Sequence, residues 1–380
     1  MKKLLLFFCL SLLCLGMNAQ EEGPIKSAGT LSVGDPITIA PGVQNEAQGR
    51  LTISFDEPNG CLYTAYQMEI SLPDGMEFFS VKKGRQNVFA ILNGSEDFYT
   101  DHTIASEVQA DGSLMVVVSS NTNDYFYEAS GTLFNVYVKA SPYAKPGDFQ
   151  ITVKGIMFIA QDGTEDGQRY DYEDQTITAG TVSAESSIPV KVSSANKIST
   201  AIFPFSCALP NGLEAYTATG LKNIDNADYI TLQKSESIAA FTPYILYAEN
   251  GITETLSGTI DAANYPADGT VSDGYLTGVL KNTEASAGYV MQNKGEGVKF
   301  YKIGSTPFTI PAGKCYANPQ PAAARALSFM FDDNEATTIQ TVSNHHRSER
   351  SDLYDLQGKR VLNPKSGHIY IINGQKVLKR

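Results

Sequence analysis

Short runs in which apolar and polar residues alternate dominate the chain from residue 31 onward. Leu51–Phe55 and Met68–Leu72 place every second residue on an apolar face, and Leu114–Val118 is apolar throughout. Such runs, rich in Val, Ile, Phe and Tyr and separated by Asp-Gly or Asn-Gly turns, are typical of antiparallel strands. The best candidate for a helix is the brief segment Gln86–Leu92. The pattern therefore predicts an all-β protein.

The same pattern divides the chain into five segments. These are a signal peptide, a β-sandwich, a second β-rich domain, a polar linker and a β-tail, at residues 1–19, 20–182, 183–335, 336–350 and 351–380. Residues 180–187 are small, polar and unpatterned, which predicts a linker between the two domains. The closely spaced strands of the second domain predict a compact barrel or sandwich. Asn373-Gly374 predicts a hairpin turn near the end of the tail.

The N-terminus has the features of an export signal. Lys2 and Lys3 precede the apolar run Leu4–Leu15, and Ala19 offers a small residue at the cleavage position. A membrane span needs about 20 apolar residues, so this run favours a signal peptide over an anchor. We therefore expect an exported mature protein without a transmembrane segment.

Charge is spread unevenly along the chain, whose formal net charge is −12. Residues 20–335 contain 19 basic and 38 acidic residues, whereas residues 336–380 contain 8 basic and 3 acidic residues. An acidic body repels the phosphate backbone, and it contains no basic stripe that could overcome this repulsion. Nucleic acid is therefore excluded as the expected partner.

Three cysteines remain after removal of the signal, namely Cys61, Cys207 and Cys315. An odd number leaves at least one thiol free in an oxidising compartment. Cys207 and Cys315 flank the second domain, so they either form a bridge or serve as small buried apolar residues. No pair has the Cys-x-x-Cys spacing of a zinc site.

One acidic loop has the spacing of a calcium site. Asp162, Thr164, Asp166 and Glu173 match the oxygen-bearing positions of the calcium-loop template, and Gly167 occupies its turn position. The flanking segments resemble strands rather than helices, and Arg169 adds a positive charge to the loop. The sequence leaves two interpretations open, a calcium site or a solvated hairpin tip.

Residues that support nucleophilic catalysis are scarce. The chain has four histidines, and His102 alone lies in the two predicted domains, where we expect a strand edge or a turn. No Gly-x-Ser-x-Gly elbow is present. Paired carboxylates have no sequence signature, so they keep a polysaccharide hydrolase open as an alternative.

Clustered aromatic residues offer either glycan platforms or core side chains. The clusters are Phe98-Tyr99, Tyr125–Tyr127, and the pair Tyr63 and Tyr66. Tryptophan, the largest flat platform, is absent, and alternating aromatic residues in a sandwich usually face the core. We therefore predict that these side chains belong to the core.

The C-terminal tail contains two segments, Tyr354–Val361 and Gly367–Arg380, that carry a family resemblance. They are similar to the C-terminal sorting domain of type IX (Por) secretion, which ends in a Gly-Ile-Tyr-Ile-like hairpin and a basic terminus. His368 and Gln375 depart mildly from that pattern. The resemblance implies recognition of residues 351–380 by secretion machinery at a Gram-negative outer membrane. It also implies a released or surface-attached protein.

The first domain resembles the cohesin-like, or carbohydrate-binding-like, β-sandwich family. The resemblance is carried by Tyr63–Phe78, Asp101–Ile104, Gly131–Lys139 and Ile156–Thr164. It implies a jelly-roll sandwich without catalytic apparatus, which in cellulosomal members binds a dockerin. The chain contains no dockerin repeat, so the implied partner is another protein.

The second domain is similar to an uncharacterised β-rich domain that often precedes sorting tails. The likeness is carried by Leu213–Thr219, Ile310–Tyr316 and Ala322–Arg325, and it brings no known activity.

These observations predict a secreted or cell-surface, non-catalytic binding or adhesion protein that recognises a surface protein or a polysaccharide. The alternative is a polysaccharide-acting hydrolase or accessory protein that uses carboxylates on a sandwich face, and a third hypothesis is a purely structural surface component. A flat exposed face favours binding, whereas acidic and aromatic side chains in one concave cleft favour the hydrolase. The residues predict no cofactor apart from calcium.

Overall fold

The computed structural model describes most of residues 29–331. The fully described ranges are 29–57, 60–93, 101–126, 130–160, 168–224, 227–295, 297–319 and 326–331, together with the backbone of 25–26, 353–354, 360–361, 369–372 and 375–378. Every regular element in these ranges is a β-strand, which confirms the all-β prediction. The described residues include no helix long and apolar enough to cross a membrane.

The first β-region, residues 29–182 together with the short strand that precedes them, contains fifteen of the described strands. These are β1 (Ile25–Lys26), β2 (Thr30–Val33), β3 (Ile37–Ile39), β4 (Arg50–Asp56), β5 (Ala65–Ser71), β6 (Met76–Phe78), β7 (Val81–Lys83), β8 (Gln86–Val88), β9 (Ala90–Leu92), β10 (His102–Val108), β11 (Leu114–Ser120), β12 (Gly131–Ala140), β13 (Gly147–Ala160), β14 (Gln168–Asp171) and β15 (Gln175–Val182).

Two sheets carry the core of this region. Sheet A runs in the order β1-β14-β13-β5-β11-β10, and β15 pairs with both β13 and β3. Sheet B runs in the order β2-β4-β12-β6, with β9 also paired to β12. The long strand β13 has a bulge at Gly155, where φ is +55°. Most adjacent strands are antiparallel, as the turn pattern predicts.

Alternation along the strands decides which side chains fill the core between the two sheets. In β5, Tyr66, Met68 and Ile70 are buried, whereas the residues between them are half-exposed. Phe55 and Phe134 of sheet B belong to the same cluster. Complete burial of one large apolar side chain stabilises a fold by about 1.5–3 kcal/mol, so this face holds the sandwich together.

The second β-region, residues 185–331, contains sixteen described strands. These are β16 (Glu185–Val192), β17 (Ile198–Ile202), β18 (Cys207–Ala208), β19 (Glu214–Ile224), β20 (Ala227–Ser235), β21 (Ser237–Ile238), β22 (Pro243–Tyr247), β23 (Ile252–Thr259), β24 (Thr270–Ser272), β25 (Leu276–Val279), β26 (Thr283–Ala285), β27 (Tyr289–Asn293), β28 (Val298–Lys302), β29 (Phe308–Ile310), β30 (Lys314–Ala317) and β31 (Ala326–Phe331).

One ten-stranded sheet forms most of the second β-region. Its order is β17-β22-β19-β20-β31-β28-β27-β30-β25-β24, and β20 and β31 are parallel. β16 pairs with β23 in a separate antiparallel two-stranded sheet, and apolar residues of both strands belong to one cluster of the region. Of the described residues, 29–293 and 298–331 form one compact unit, so the two β-regions are in contact.

Tyr143 makes a side-chain contact between the two β-regions. It lies between β12 and β13, and its ring packs against two apolar clusters of the second region, one around Tyr244 and one around Ile202. Its carbonyl oxygen accepts a hydrogen bond of 2.6 Å from the hydroxyl group of Tyr265. Burial raises the pKa of the Tyr143 hydroxyl to about 12.

The tail has its own small sheet, formed by β32 (Leu353–Tyr354), β33 (Arg360–Val361), β34 (Ile369–Ile372) and β35 (Gln375–Leu378). The last two strands are antiparallel, and Ile372 pairs with Gln375, as expected for the predicted hairpin. Arg360–Val361 is a strand that the sequence pattern did not predict.

Two local predictions are wrong. The predicted helix at Gln86–Leu92 is instead two short strands, because β8 pairs with β7 and β9 pairs with β12. The predicted linker at residues 180–187 is mostly strand, since β15 continues to Val182 and β16 begins at Glu185. The division into domains at residues 182 and 183 falls in this short connection and stays a prediction.

Candidate functional site

The aromatic residues considered as glycan platforms are core residues wherever the structure describes them, apart from Tyr125. Tyr63, Tyr66 and Phe126 are almost completely buried, whereas Tyr125 is 39% exposed. The core interpretation is therefore confirmed for three of them. Phe98, Tyr99 and Tyr127 lie outside the described residues.

Tyr63 belongs to a buried polar cluster that the sequence did not reveal. The hydroxyl groups of Tyr63 and Tyr172 donate hydrogen bonds of 2.8 and 2.7 Å to the same carboxylate oxygen, Oε2 of Glu57. The two hydroxyl oxygens are 2.6 Å apart. Burial, followed by the bonds to Tyr172 and Glu57, raises the pKa of Tyr63 far above its usual value. This cluster is enclosed, so it serves the core rather than a ligand.

His102 lies at the edge of sheet A, where the sequence predicted it. It is the first residue of β10, the last strand in the order of that sheet. Its ring is buried and packs against Phe126 with a centroid distance of 4.7 Å. Burial lowers its pKa, although Asp101 favours the charged form, so His102 is neutral at pH 7. His345, His346 and His368 lie outside the described residues.

The three cysteines are free, so the predicted alternative of a bridge between Cys207 and Cys315 is wrong. Cys315 is a buried apolar residue whose thiol donates to the carbonyl of Ala201. Its burial raises the thiol pKa to about 12, so it is unreactive at neutral pH. The alternative interpretation, a small buried side chain, describes Cys315 correctly.

The predicted calcium loop stays a prediction. Asp162, Thr164 and Asp166 lie outside the described residues, and Glu173 is exposed between β14 and β15. The guanidinium group of Arg169 donates hydrogen bonds of 2.7 and 3.0 Å to Asp171. Among the described residues, no group of three or more His, Cys, Asp or Glu side chains could hold a metal ion.

The outer face of sheet A carries apolar side chains that alternation would normally leave polar. Three half-exposed residues, Met115, Val117 and Met157, lie on this face. Val117 and Met157 are both partners of Gln67 on β5, so they belong to one row across neighbouring strands. Ala105 and Ile159 extend the group. We call these five residues the apolar patch.

Charged residues border the apolar patch. Glu107, Met115, Glu69 and Lys154 form the next row, because each is the register partner of its neighbour. Glu107 and Glu69 therefore belong to the strands on either side of Met115, and the backbones of these two strands are separated by roughly two strand spacings. Apart from Gln67, which lies between Val117 and Met157, the centre is apolar and the border is charged, an arrangement that protein interfaces commonly use.

The same outer face continues into a groove of about 680 Å³ at the boundary between the two β-regions. Its floor includes Ser71, Thr152 and Thr176, which form one row across β5, β13 and β15. Its opposite wall includes Tyr265 and Lys281 of the second β-region. We call this concavity the inter-region groove.

Each carboxylate in the inter-region groove has a bonding partner. Asp74 forms an ion pair of 2.6 Å with Lys281. Asp148 accepts a hydrogen bond of 2.7 Å from the hydroxyl of Thr181. The groove is concave, as the hydrolase hypothesis requires, but both of these acids have structural partners.

Sequence reasoning missed the apolar patch and the groove for different reasons. The sequence does contain an indication of the patch, since the uninterrupted apolar run Leu114–Val118 places apolar residues on both faces of β11. No local pattern in the sequence indicates the groove, because Ser71 and Thr152 become neighbours only through the register of β5 and β13.

A scan of family models finds no match to this sequence, and no curated protein sequence matches it. The solved structures similar to this chain include cohesin modules. One is from a family 33 glycoside hydrolase of Clostridium perfringens, with 12% identity, 41% of this chain and 97% of that chain covered, and a TM-score of 0.27. A non-cellulosomal cohesin from Archaeoglobus fulgidus is 16% identical, with 40% of this chain and 89% of that chain covered and a TM-score of 0.26.

A type I cohesin solved in complex with a dockerin, from Clostridium thermocellum, is 10% identical, with 43% of this chain and 99% of that chain covered and a TM-score of 0.29. At such identities the likeness concerns the fold alone.

Proposed function

We propose that this chain is an exported, non-catalytic binding protein and that the apolar patch of sheet A is the surface with which it recognises a protein partner. The observation that carries the proposal is the group of half-exposed apolar side chains around Val117 on the otherwise largely polar outer face of sheet A. Water contact with such a group is unfavourable, and a partner that covers it gains about 25 cal/mol per Å² of apolar area.

The border of the patch defines the chemistry of the partner. Glu69 and Glu107 face outward in the row beside Val117, and residues 20–335 carry twice as many acidic as basic residues. A matching surface therefore has an apolar centre with Lys or Arg side chains opposite the two glutamates. Such charge pairs at the border chiefly increase the association rate and the specificity.

The proposed location outside the cell rests on both ends of the sequence. Lys2, Lys3 and the apolar run Leu4–Leu15 have the form of a removable signal. Residues 351–380 resemble a sorting tail, so the secretion machinery is a second proposed partner. Surface delivery would place the apolar patch where a surface protein could reach it.

The dockerin-bound cohesin from Clostridium thermocellum binds a protein, as its name states. For this chain the support is the patch itself. A hydrolase is the weaker hypothesis, because Asp74 and Asp148 of the inter-region groove are bonded to Lys281 and Thr181.

The test is a pull-down from the surface fraction of the producing organism with the full chain as bait, with and without calcium. The wild-type chain is compared with Val117→Asp, which places a carboxylate in the patch, and with Val43→Asp as a control. Val43 is an exposed valine between β3 and β4, outside the patch. Thermal unfolding is measured for all three proteins to verify that they are folded.

We expect one protein at near-equal stoichiometry with the wild type and with Val43→Asp. Binding by Val117→Asp should be about 30-fold to 1,000-fold weaker, as expected for a residue at the centre of an interface. An empty lane for the wild type would overturn the proposal, and so would equal recovery by both variants. Loss of the partner without calcium would support the predicted site at Asp162.

A further inference from the structure

The inter-region groove presents an unusual density of uncharged hydrogen-bonding side chains. Ser71, Thr152 and Thr176 are partners in one row, and Gln150 and Thr178 form the next row. All five side chains point away from the core, because their strand neighbours Ile70, Ile151 and Ile177 face it. Within the described residues no hydrogen bond from these five side chains to another protein group is found. Their donors and acceptors are available to a ligand.

Charges in the groove balance and are partly neutralised. The charged lining residues are Asp74, Lys145, Asp148 and Lys281, two of each sign. Asp74 and Lys281 form an ion pair across the groove wall. A ligand with a net charge would gain no excess of opposite charge here, unlike on the acidic remainder of residues 20–335. The balance therefore favours an uncharged polar ligand.

Apolar surfaces complete the lining. Leu72, Pro146 and Pro266 line the groove together with the ring of Tyr265. That ring is fixed in position, since its hydroxyl donates to the carbonyl of Tyr143 and its edge meets Phe241 at a centroid distance of 5.8 Å. A sugar ring presents hydroxyl groups at its edges and C–H groups on its faces. Both kinds of surface thus have a counterpart in this groove.

A peptide fits the floor less well than a sugar. β5 and β13 have neighbours on both sides, so their backbone groups are used within sheet A and cannot pair with an added strand. Recognition on this floor must use side-chain hydroxyl and amide groups. The volume of about 680 Å³ lies within the range of roughly 300–1,000 Å³ typical of small-molecule sites.

We infer that the inter-region groove binds a short, uncharged oligosaccharide. Ser71, Thr152 and Thr176 hydrogen-bond its hydroxyl groups, and Tyr265 and Pro266 contact its ring faces. This site is separate from the apolar patch, so it stands independently of the proposed protein partner.

The test is isothermal titration calorimetry of the full chain against linear hexasaccharides. The neutral probes are the hexasaccharides of β-1,4-glucan, β-1,4-mannan, β-1,4-xylan and α-1,4-glucan. The charged probe is hexagalacturonate. A ten-residue peptide of Ser, Thr and Pro tests peptides as the alternative class of ligand. The variant Thr152→Val, Thr176→Val removes two hydroxyl groups and keeps the side-chain shape. Thr103→Val alters an exposed threonine of the same outer face on β10, away from the groove.

We expect at least one neutral hexasaccharide to bind, with affinity reduced about tenfold in the double variant and unchanged in Thr103→Val. Hexagalacturonate and the peptide should not bind. Absence of binding by all neutral probes at millimolar concentration overturns the inference, as does tighter binding of hexagalacturonate or the peptide. Equal affinity of the double variant and the wild type also overturns it. A thermal unfolding midpoint within about 3 °C of the wild type shows that the double variant is folded.

Discussion

The two β-regions differ in how their cores are completed. In the first, most buried residues of sheets A and B belong to one large cluster with members from Leu31 to Val182, and Phe79, Val81 and Tyr137 form a small cluster of their own. In the second, the described buried residues divide into separate clusters, and Tyr143 of the first region packs against two of them. The first core is supplied by its own residues, whereas the second depends in part on a side chain from its neighbour.

The contact through Tyr143 bears on the inter-region groove. Tyr265 donates a hydrogen bond to the carbonyl of Tyr143 and also forms part of the groove wall, so this contact between the two β-regions lies directly beside the groove. A flexible connection would let such a groove change its width. The contact through Tyr143 instead fixes its two walls, which favours a preorganised binding site.

The largest expected effect is the loss of the Tyr143 contact. Gly313 has φ +78°, and a Cβ atom at this position would lie 1.9 Å from the Tyr143 hydroxyl oxygen. We expect Gly313→Ala to lower the free energy of unfolding by about 3 kcal/mol, because backbone strain and overpacking add. The measurement is equilibrium unfolding in urea.

Gly212→Ala is the matched control. Gly212 also has a positive φ, +85°, but no atom lies within 4 Å of the added Cβ. Gly212→Ala should therefore lower the free energy of unfolding only through backbone strain at the positive φ, by about 1 kcal/mol. Equal losses in the two variants would show that Tyr143 does not constrain the second β-region, and the contrast between the two cores would be wrong.

The buried polar cluster of the first β-region gives the next effect. Tyr172→Phe removes one of the two hydroxyl groups that donate to Glu57, and it leaves this buried carboxylate with one fewer partner. We expect a loss of about 2 kcal/mol in urea unfolding, within the range for an unsatisfied buried polar group. Tyr137→Phe, at a buried tyrosine outside the cluster, should cost clearly less. The reverse order would contradict this role of the cluster.

Local pattern explains which of these features the sequence could predict. The inward residues of β5 and β11 follow from a period of two, which a short window of sequence contains. Tyr143 lies in a loop without periodicity, so its insertion into the second β-region depends on long-range packing. The helix prediction for Gln86–Leu92 is wrong because a run of seven residues is too short for its pattern to distinguish a helix from paired strands. The groove residues come together through register alone.

Alkaline pH tests the contact between the β-regions without altering the backbone. Burial raises the pKa of Tyr143 and of Tyr265 to about 12, above the value of about 10 expected in the unfolded chain. The unfolded state therefore releases these protons first. The contribution of these two tyrosines to the free energy of unfolding is therefore complete below about pH 10 and is lost as the pH rises from about 10 to 12.

Each tyrosine contributes a decline of about 1.4 kcal/mol per pH unit in that window. The Tyr143→Phe variant lacks the pH-dependent loss caused by Tyr143. Its free energy of unfolding should therefore fall less than that of the wild type between about pH 9 and pH 11. Urea unfolding at both pH values measures the difference. Identical declines would mean that Tyr143 titrates as an exposed phenol and is not buried between the regions.

The smallest expected effect belongs to the ion pair between Asp74 and Lys281, which joins the two β-regions at the edge of the groove. The pair is short, 2.6 Å, but 79% of the Asp74 side chain and 40% of the Lys281 side chain are exposed. Exposed pairs contribute little, so Asp74→Asn should lower the free energy of unfolding by about 0.5 kcal/mol at low salt, and molar salt should abolish the difference. A larger, salt-independent loss would mean that the boundary is held by this pair as well as by Tyr143. The groove walls would then rely on a polar contact, and the contrast with the self-contained first core would extend to the surface.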